Sequence, residues 1–248
     1  MVRTLLIWGM VVGIVAGLLA FGFAKVFGEP QVDRAIAFED QMDRAKGEAP
    51  GPELVSRAVQ SGVGLLTGVV VYGTALGGLF ALAFAFAYQR MGRLSARATS
   101  ALLAAAGFLA IFLVPQLKYP SNPPSVGQPE TIGYRSELFF LMILISVAAL
   151  ALAIAIAPRL AFRYGNWNGA LLAAAVFIVI IVAAQFILPD INEVPDQFPA
   201  VVLWRFRIVS LGIQLILWAT FGLLFGVLAE RVLERGGIAR GSARGLPT

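Results

Sequence analysis

The chain has 248 residues, 59% of them hydrophobic and only 13% charged, with a formal net charge of +5. A soluble domain carries about a quarter charged residues, so this composition builds a surface for lipid rather than water. Cysteine and histidine are both absent, which excludes a disulfide framework and histidine-dependent catalysis, and the basic residues cluster at the ends of apolar runs, a topology signal rather than a nucleic-acid one.

Six stretches meet the ~20 mostly apolar residues that a spanning helix requires: 4–27, 62–88, 98–117, 138–157, 169–188 and 200–229. The expected fold is an all-α integral membrane protein, with one polytopic domain over residues 1–230 and a flexible basic tail over 231–248. The first span follows Arg3 and outruns the ~7–15-residue apolar core of a signal peptide, so it is expected to be retained. Lys25 lies near its end, where it can snorkel. Gly9, Gly13 and Gly17 recur at a spacing of four along it. The connection that follows is acidic, with Glu29, Asp33, Glu39, Asp40, Asp43, Glu48 and Glu53. Within it, residues 32–46 read as an amphipathic helix on the membrane surface, ending in the turn "EAPGPE".

The second span adds Gly64, Gly68, Gly73 and Gly77, and the sixth adds Gly222 and Gly226. Small residues let helices approach closely in lipid, so these glycines are expected at helix seams; lining of a narrow path by the exposed carbonyls is the alternative. The short connection after span 2 holds Arg90, Arg93 and Arg97, and that after span 4 holds Arg159 and Arg163. With Arg3 and the tail arginines, they place both termini in the cytoplasm of a cell-membrane protein. The opposite side then receives twelve of the fourteen carboxylates, all but Glu230 and Glu234.

The connections after spans 3 and 5, "KYPSNPPSVGQPETIGYR" and "LPDINEVPDQFPAV", are proline-rich. Proline lowers the entropy lost on ordering, so both are expected to be structured lids. Pro115, Pro120 and Pro124 align with Pro189, Pro195 and Pro199, which fits either a parallel duplication or chance. Arg205 and Arg207 fall near the start of span 6, where cations oppose the helix dipole. Ion pairs with Asp190, Glu193 or Asp196 are expected there, the alternative being hydrogen bonds to lipid phosphates.

The middles of spans 2 to 6 contain no Asp, Glu, Lys or Arg, unlike the intramembrane charges kept by proton-coupled carriers. Gln185 and Gln214 are the largest polar side chains inside spans, suited to hydrogen bonding between helices. No P-loop, zincin or triad motif is present, so the chain is not expected to be an enzyme. Any divalent ion must be held by carboxylate, carbonyl and water oxygens; an acidic surface that binds no ion is the alternative.

The blocks "FAKVFGEPQVDRAIAFE", "LVSRAVQSGVGLLTG", "VPQLKYPSNPPSVGQPETIGYRS" and "LPDINEVPDQFPAVVLWRFRIVSLGIQLILW" resemble the CbtA family of bacterial predicted cobalt transporter subunits, over roughly residues 5–230. The resemblance implies cobalt uptake linked to cobalamin synthesis. It implies no tightly bound cofactor, Co²⁺ as the transported ion, and a single-span, His-rich companion of the CbtB kind. On this reading the ion enters over Glu29, Asp33, Asp190, Glu193 and Asp196. Arg34, Arg135, Arg205 and Arg207 fix those carboxylates, and the glycine seams pass the ion inward. A non-transporting membrane scaffold that recruits a partner is the other class of function.

Overall fold

A chain this apolar has no water in the bilayer to satisfy its peptide groups, so each spanning stretch must close its own hydrogen bonds as a helix. The computed structural model of the chain describes residues 1–47, 55–88, 90 and 94–234. Six long apolar helices account for most of them: α1 Val2–Lys46, α2 Arg57–Ala87, α3 Ala96–Lys118, α4 Pro129–Tyr164, α5 Asn166–Ile187 and α6 Ala200–Glu234. The described residues contain no strand. Leu144, Val179 and Phe186, 65%, 66% and 86% exposed, belong to an apolar skin. The protein is a multi-pass membrane protein.

Antiparallel packing gathers the connections after α1, α3 and α5 at one end of the bundle, called below the loop-rich end. The start of α1 and the end of α6 lie at the far end, where Arg97 of α3 pairs with Glu230 of α6 at 2.5 Å.

The most extensive helix contact is between α1 and α2, and glycine creates it. A Cβ on Gly73 would stand 2.6 Å from the Gly13 carbonyl oxygen, and one on Gly17 would stand 2.8 Å from the Cα of Val70. Gly9 and Gly77 meet in the same way, each against the other's carbonyl. The two backbones are therefore in direct contact along about two turns. Gly222 and Gly226 make a second close crossing, between α6 and α3, against Ala104 and Ser100. Gly64 and Gly68 do not join a seam: a Cβ on Gly68 would meet nothing within 4 Å, and one on Gly64 would meet only its own helix, at the Val59 carbonyl.

Two cores sit under these seams. In the far half, α1, α2, α3 and α6 enclose Leu5, Val12, Phe80, Phe84, Leu217, Trp218, Phe221 and Phe225. Phe80 and Phe221 stack at 5.6 Å, and Phe225 meets Phe84 edge-on at 5.2 Å. The hairpin of α4 and α5 packs on the loop-rich half of α3 through Val114, Met142, Ala149, Ile181 and Ala184. Its tight turn needs Gly165, whose φ of +82° is open to glycine.

Where the sequence suggests a surface helix over 32–46, the structure carries α1 without a break to Lys46. Its 45 residues give a contour of about 68 Å at ~1.5 Å per residue, against a hydrocarbon core of about 30 Å. Pro30, which lacks an N–H and would clash with the carbonyl four residues back, does not end the helix. A π-helical turn at Ala24–Gly28 precedes it and changes the hydrogen-bond register there. Pro115 is accommodated alike, after a π-helical turn at Phe108–Leu113. Pro158 lies inside α4 with no such turn before it, and Pro189 follows the end of α5. The turn "EAPGPE" suggested by the sequence lies outside the described residues; α1 ends at Lys46 and α2 begins at Arg57.

Candidate functional site

The loop-rich half of the bundle holds a cavity of about 1090 Å³. Its walls come from α2 (Tyr72, Leu76), α3 (Ile111, Phe112, Gln116), α4 (Arg135, Phe139, Ile143) and α6 (Arg207, Ser210, Gln214). Residues 119–124 and 191–194 roof it. Trp218, one turn beyond Gln214, belongs to the aromatic core that closes the far half. The cavity is thus a cup in the loop-rich half, covered by the loops and bounded at its far end by aromatic rings.

The roof is tied down by a defined set of bonds. Lys118, with a side chain 6% exposed, pairs with Asp190 and donates to the Gln185 carbonyl at 2.7 Å. A cation there also complements the negative end of α5. Tyr119 donates its hydroxyl to the Pro189 carbonyl at 2.9 Å; burial first, then Tyr134 and Asp190, pushes its phenol above the usual range. Ser125 donates to the Ala35 carbonyl on the extension of α1 at 2.8 Å. Ala35, Val126, Phe198 and Val202 form a small core beneath the three loop-rich segments, with Phe38 edge-on to Phe198 at 5.1 Å.

Glu193 joins the two proline-rich segments. Its carboxylate accepts the Gln128 amide at 2.8 Å and faces the Arg135 guanidinium at 3.4 Å. Hydrogen bonding from Thr131 and from the Gln128 amide, with the Arg135 charge behind them, holds this carboxyl below the usual carboxylate range. Gly127, at a φ of +115°, lets Arg135 lie against the loop backbone, since a Cβ would stand 2.6 Å from its Cζ.

The expected five-carboxylate vestibule is not assembled. Glu29 and Asp33 share Arg57, the latter at 2.9 Å. Asp190 is held by Lys118 and Glu193 by Arg135, while Asp196 is exposed. Among the described residues no three acidic, histidine or cysteine side chains gather to hold a metal. Of the four arginines expected in ion pairs, Arg135 alone has a carboxylate within 4.0 Å among the described residues. Arg34 donates to Gln31 at 3.0 Å, Arg205 is exposed, and Arg207 donates to the Asn122 side-chain oxygen at 2.9 Å. The reason is angular. Residues two apart on a helix point about 200° from each other, so Arg205 and Arg207 cannot face one set of acids.

Sequence reasoning missed Arg57 and Lys118 as anchors, although each lies at a helix end beside acidic loop segments. It also missed a polar stripe. Arg207, Ser210 and Gln214 recur at helical spacing on one face of α6 and all line the cavity. Gln116 accepts both the Ser121 amide, at 3.1 Å, and the Ser121 hydroxyl, at 2.9 Å. Since that proton is committed, Ser210 is the donor in its 2.7 Å contact with Ser121.

A family model described as "Probable cobalt transporter subunit (CbtA)" matches residues 2–230. No curated protein and no solved structure matches the chain.

Proposed function

We propose, because the chain belongs to the CbtA family of probable cobalt transporter subunits, that it serves cobalt uptake with its loop-rich end outside the cell and both termini in the cytoplasm. The single observation that carries this reading is the position of the cavity: beneath the proline-rich roof, with the far half filled by Phe80, Phe84, Phe221 and Phe225. A cavity confined to the loop-rich half suits a carrier that receives its cargo from that side, and arginines on the short connections support the orientation. The membrane is the cell membrane, and the cobalt serves cobalamin synthesis.

Co²⁺ is the cargo here, not a resident cofactor. The cavity offers one carboxylate, Glu193, already engaged by Arg135, and the chain has no imidazole or thiolate. The soft and borderline ligands that a late first-row ion favours therefore come from a partner: a single-span, His-rich companion of the CbtB kind. In this reading Asp190 and Glu193 act as anchors of the roof, and Glu29 and Asp33 tie α1 to the start of α2 through Arg57.

The test is cobalt uptake into proteoliposomes containing the chain alone, and then the chain with the companion. Uptake that requires both this chain and the companion, and that is lowered when the Glu193 anchor is replaced by Ala with membrane insertion intact, is the expected result. A stable complex that moves no cobalt in either preparation would replace this reading with a scaffold.

A further inference from the structure

Arg207 is the most unusual group in the cavity. It stands two turns inside α6, half-buried, and one of its nitrogens bonds to the neutral Asn122 side chain at 2.9 Å. Its Nε is buried with no acceptor, and no carboxylate among the described residues lies within 4.0 Å of it. A half-buried cation normally has a counter-charge, because desolvation without one is costly. Two turns further in, the Gln214 side-chain oxygen is likewise buried without a partner. Gln116 has its oxygen occupied by Ser121, which leaves its amide hydrogens for another acceptor.

The charge sum of the lining is also clear. Arg135 and Glu193 cancel, and Arg207 remains, so the cavity is net positive. A net positive lining repels the aquo ion.

We propose that the cavity is a recognition site for an anionic oxygen group, a carboxylate or phosphate, gripped by the Arg207 guanidinium. A planar guanidinium fork matches such a group in two parallel hydrogen bonds, and the free Nε is one tine of that fork. If the cavity lies on the import route, a consequence that rests on the reading above, the cargo is cobalt within a complex carrying free carboxylate oxygens.

The test uses the full chain in phosphatidylcholine nanodiscs, titrated with citrate and with inorganic phosphate by calorimetry. The expected result is one saturable site, weakened tenfold or more in R207Q and partly restored in R207K. In E193Q, which frees Arg135 beside the same cavity, binding tightens. N122D is the variant that answers a folding failure of R207Q. It places a carboxylate against Arg207 within the chain, so citrate and phosphate binding is lost while the melting temperature rises. Nanodiscs containing phosphatidylglycerol separate two sources. Citrate binding weaker in phosphatidylglycerol than in phosphatidylcholine nanodiscs identifies a lipid headgroup as the anion, and undiminished citrate binding identifies a soluble one. Citrate, phosphate and phosphatidylglycerol retention all unchanged in R207Q and N122D would overturn the site. Cobalt uptake from Co²⁺ and from its citrate complex is read separately: no uptake of either form, with Arg207-dependent citrate binding intact, defeats the import reading alone.

Discussion

Gly73→Ala adds one methyl group in the backbone-to-backbone seam between α1 and α2. The new Cβ would lie 2.6 Å from the Gly13 carbonyl oxygen and 3.3 Å from both the Cα and the nitrogen of Gly17. Ordinary carbon contacts begin near 3.5 Å, so α1 and α2 must part by about 1 Å. Every neighbour is backbone, and no rotamer change can absorb the overlap. Overpacking of this kind costs about 3 kcal/mol at its upper range. Against that, Ala is favoured over Gly in a helix by about 1 kcal/mol, leaving a net loss of about 2 kcal/mol. Gly68→Ala is the control in the same helix. Its Cβ would meet nothing within 4 Å, so only the propensity gain of up to about 1 kcal/mol remains. Reversible unfolding in bicelles, followed by circular dichroism, measures both. A Gly73→Ala protein as stable as the parent, or a Gly68→Ala protein equally damaged, would refute the backbone-contact account.

Three further outcomes are expected. Arg57→Ala strands Glu29, whose side chain is 12% exposed, and removes the partner of Asp33; unfolding should show a loss of about 1–2 kcal/mol, and the loss should shrink when Glu29 is also replaced by Gln. Lys118→Met keeps the apolar stem but cuts the bonds to Asp190 and the Gln185 carbonyl, so amide exchange should quicken in the 188–194 segment with the α4–α5 hairpin unchanged. The Glu193 carboxyl is held below its ordinary value, so its contribution is full above the unfolded pKa of about 4.3 and is lost as pH falls through the lower folded value. Gln128 amide protection should therefore persist at pH 5 and decline below pH 4, and Glu193→Gln should remove that dependence.

Much of the architecture is legible in the residues because its cause is local. A run of apolar side chains dictates a helix in lipid through its own peptide groups alone, and Gly9, Gly13 and Gly17 mark a face by spacing. Which helix meets that face is a property of two surfaces: Gly73 and Gly77 answer it, whereas Gly68, identical in sequence terms, faces open space. Pro30 illustrates the same limit. Proline signals a helix end, yet α1 runs through Pro30, just after a π-helical turn, to Lys46.

The candidate site was less legible because charge pairing spans long sequence separations. Arg57 is 28 residues from Glu29, and Lys118 is 72 from Asp190; composition shows the acids and says nothing of which base reaches them. Arg205 and Arg207, two apart in sequence, point apart around the helix, and of the pair only Arg207 enters the cavity.

Hydropathy, glycine spacing and the placement of arginines thus determined six spans, their approximate limits and the acidic character of three connections, because each depends on neighbours a few residues away. The partnering of carboxylates with Arg57, Lys118 and Arg135, the cup beneath the roof and the unpaired guanidinium of Arg207 arose only when distant segments were packed together, since electrostatic fit is settled by three-dimensional distance.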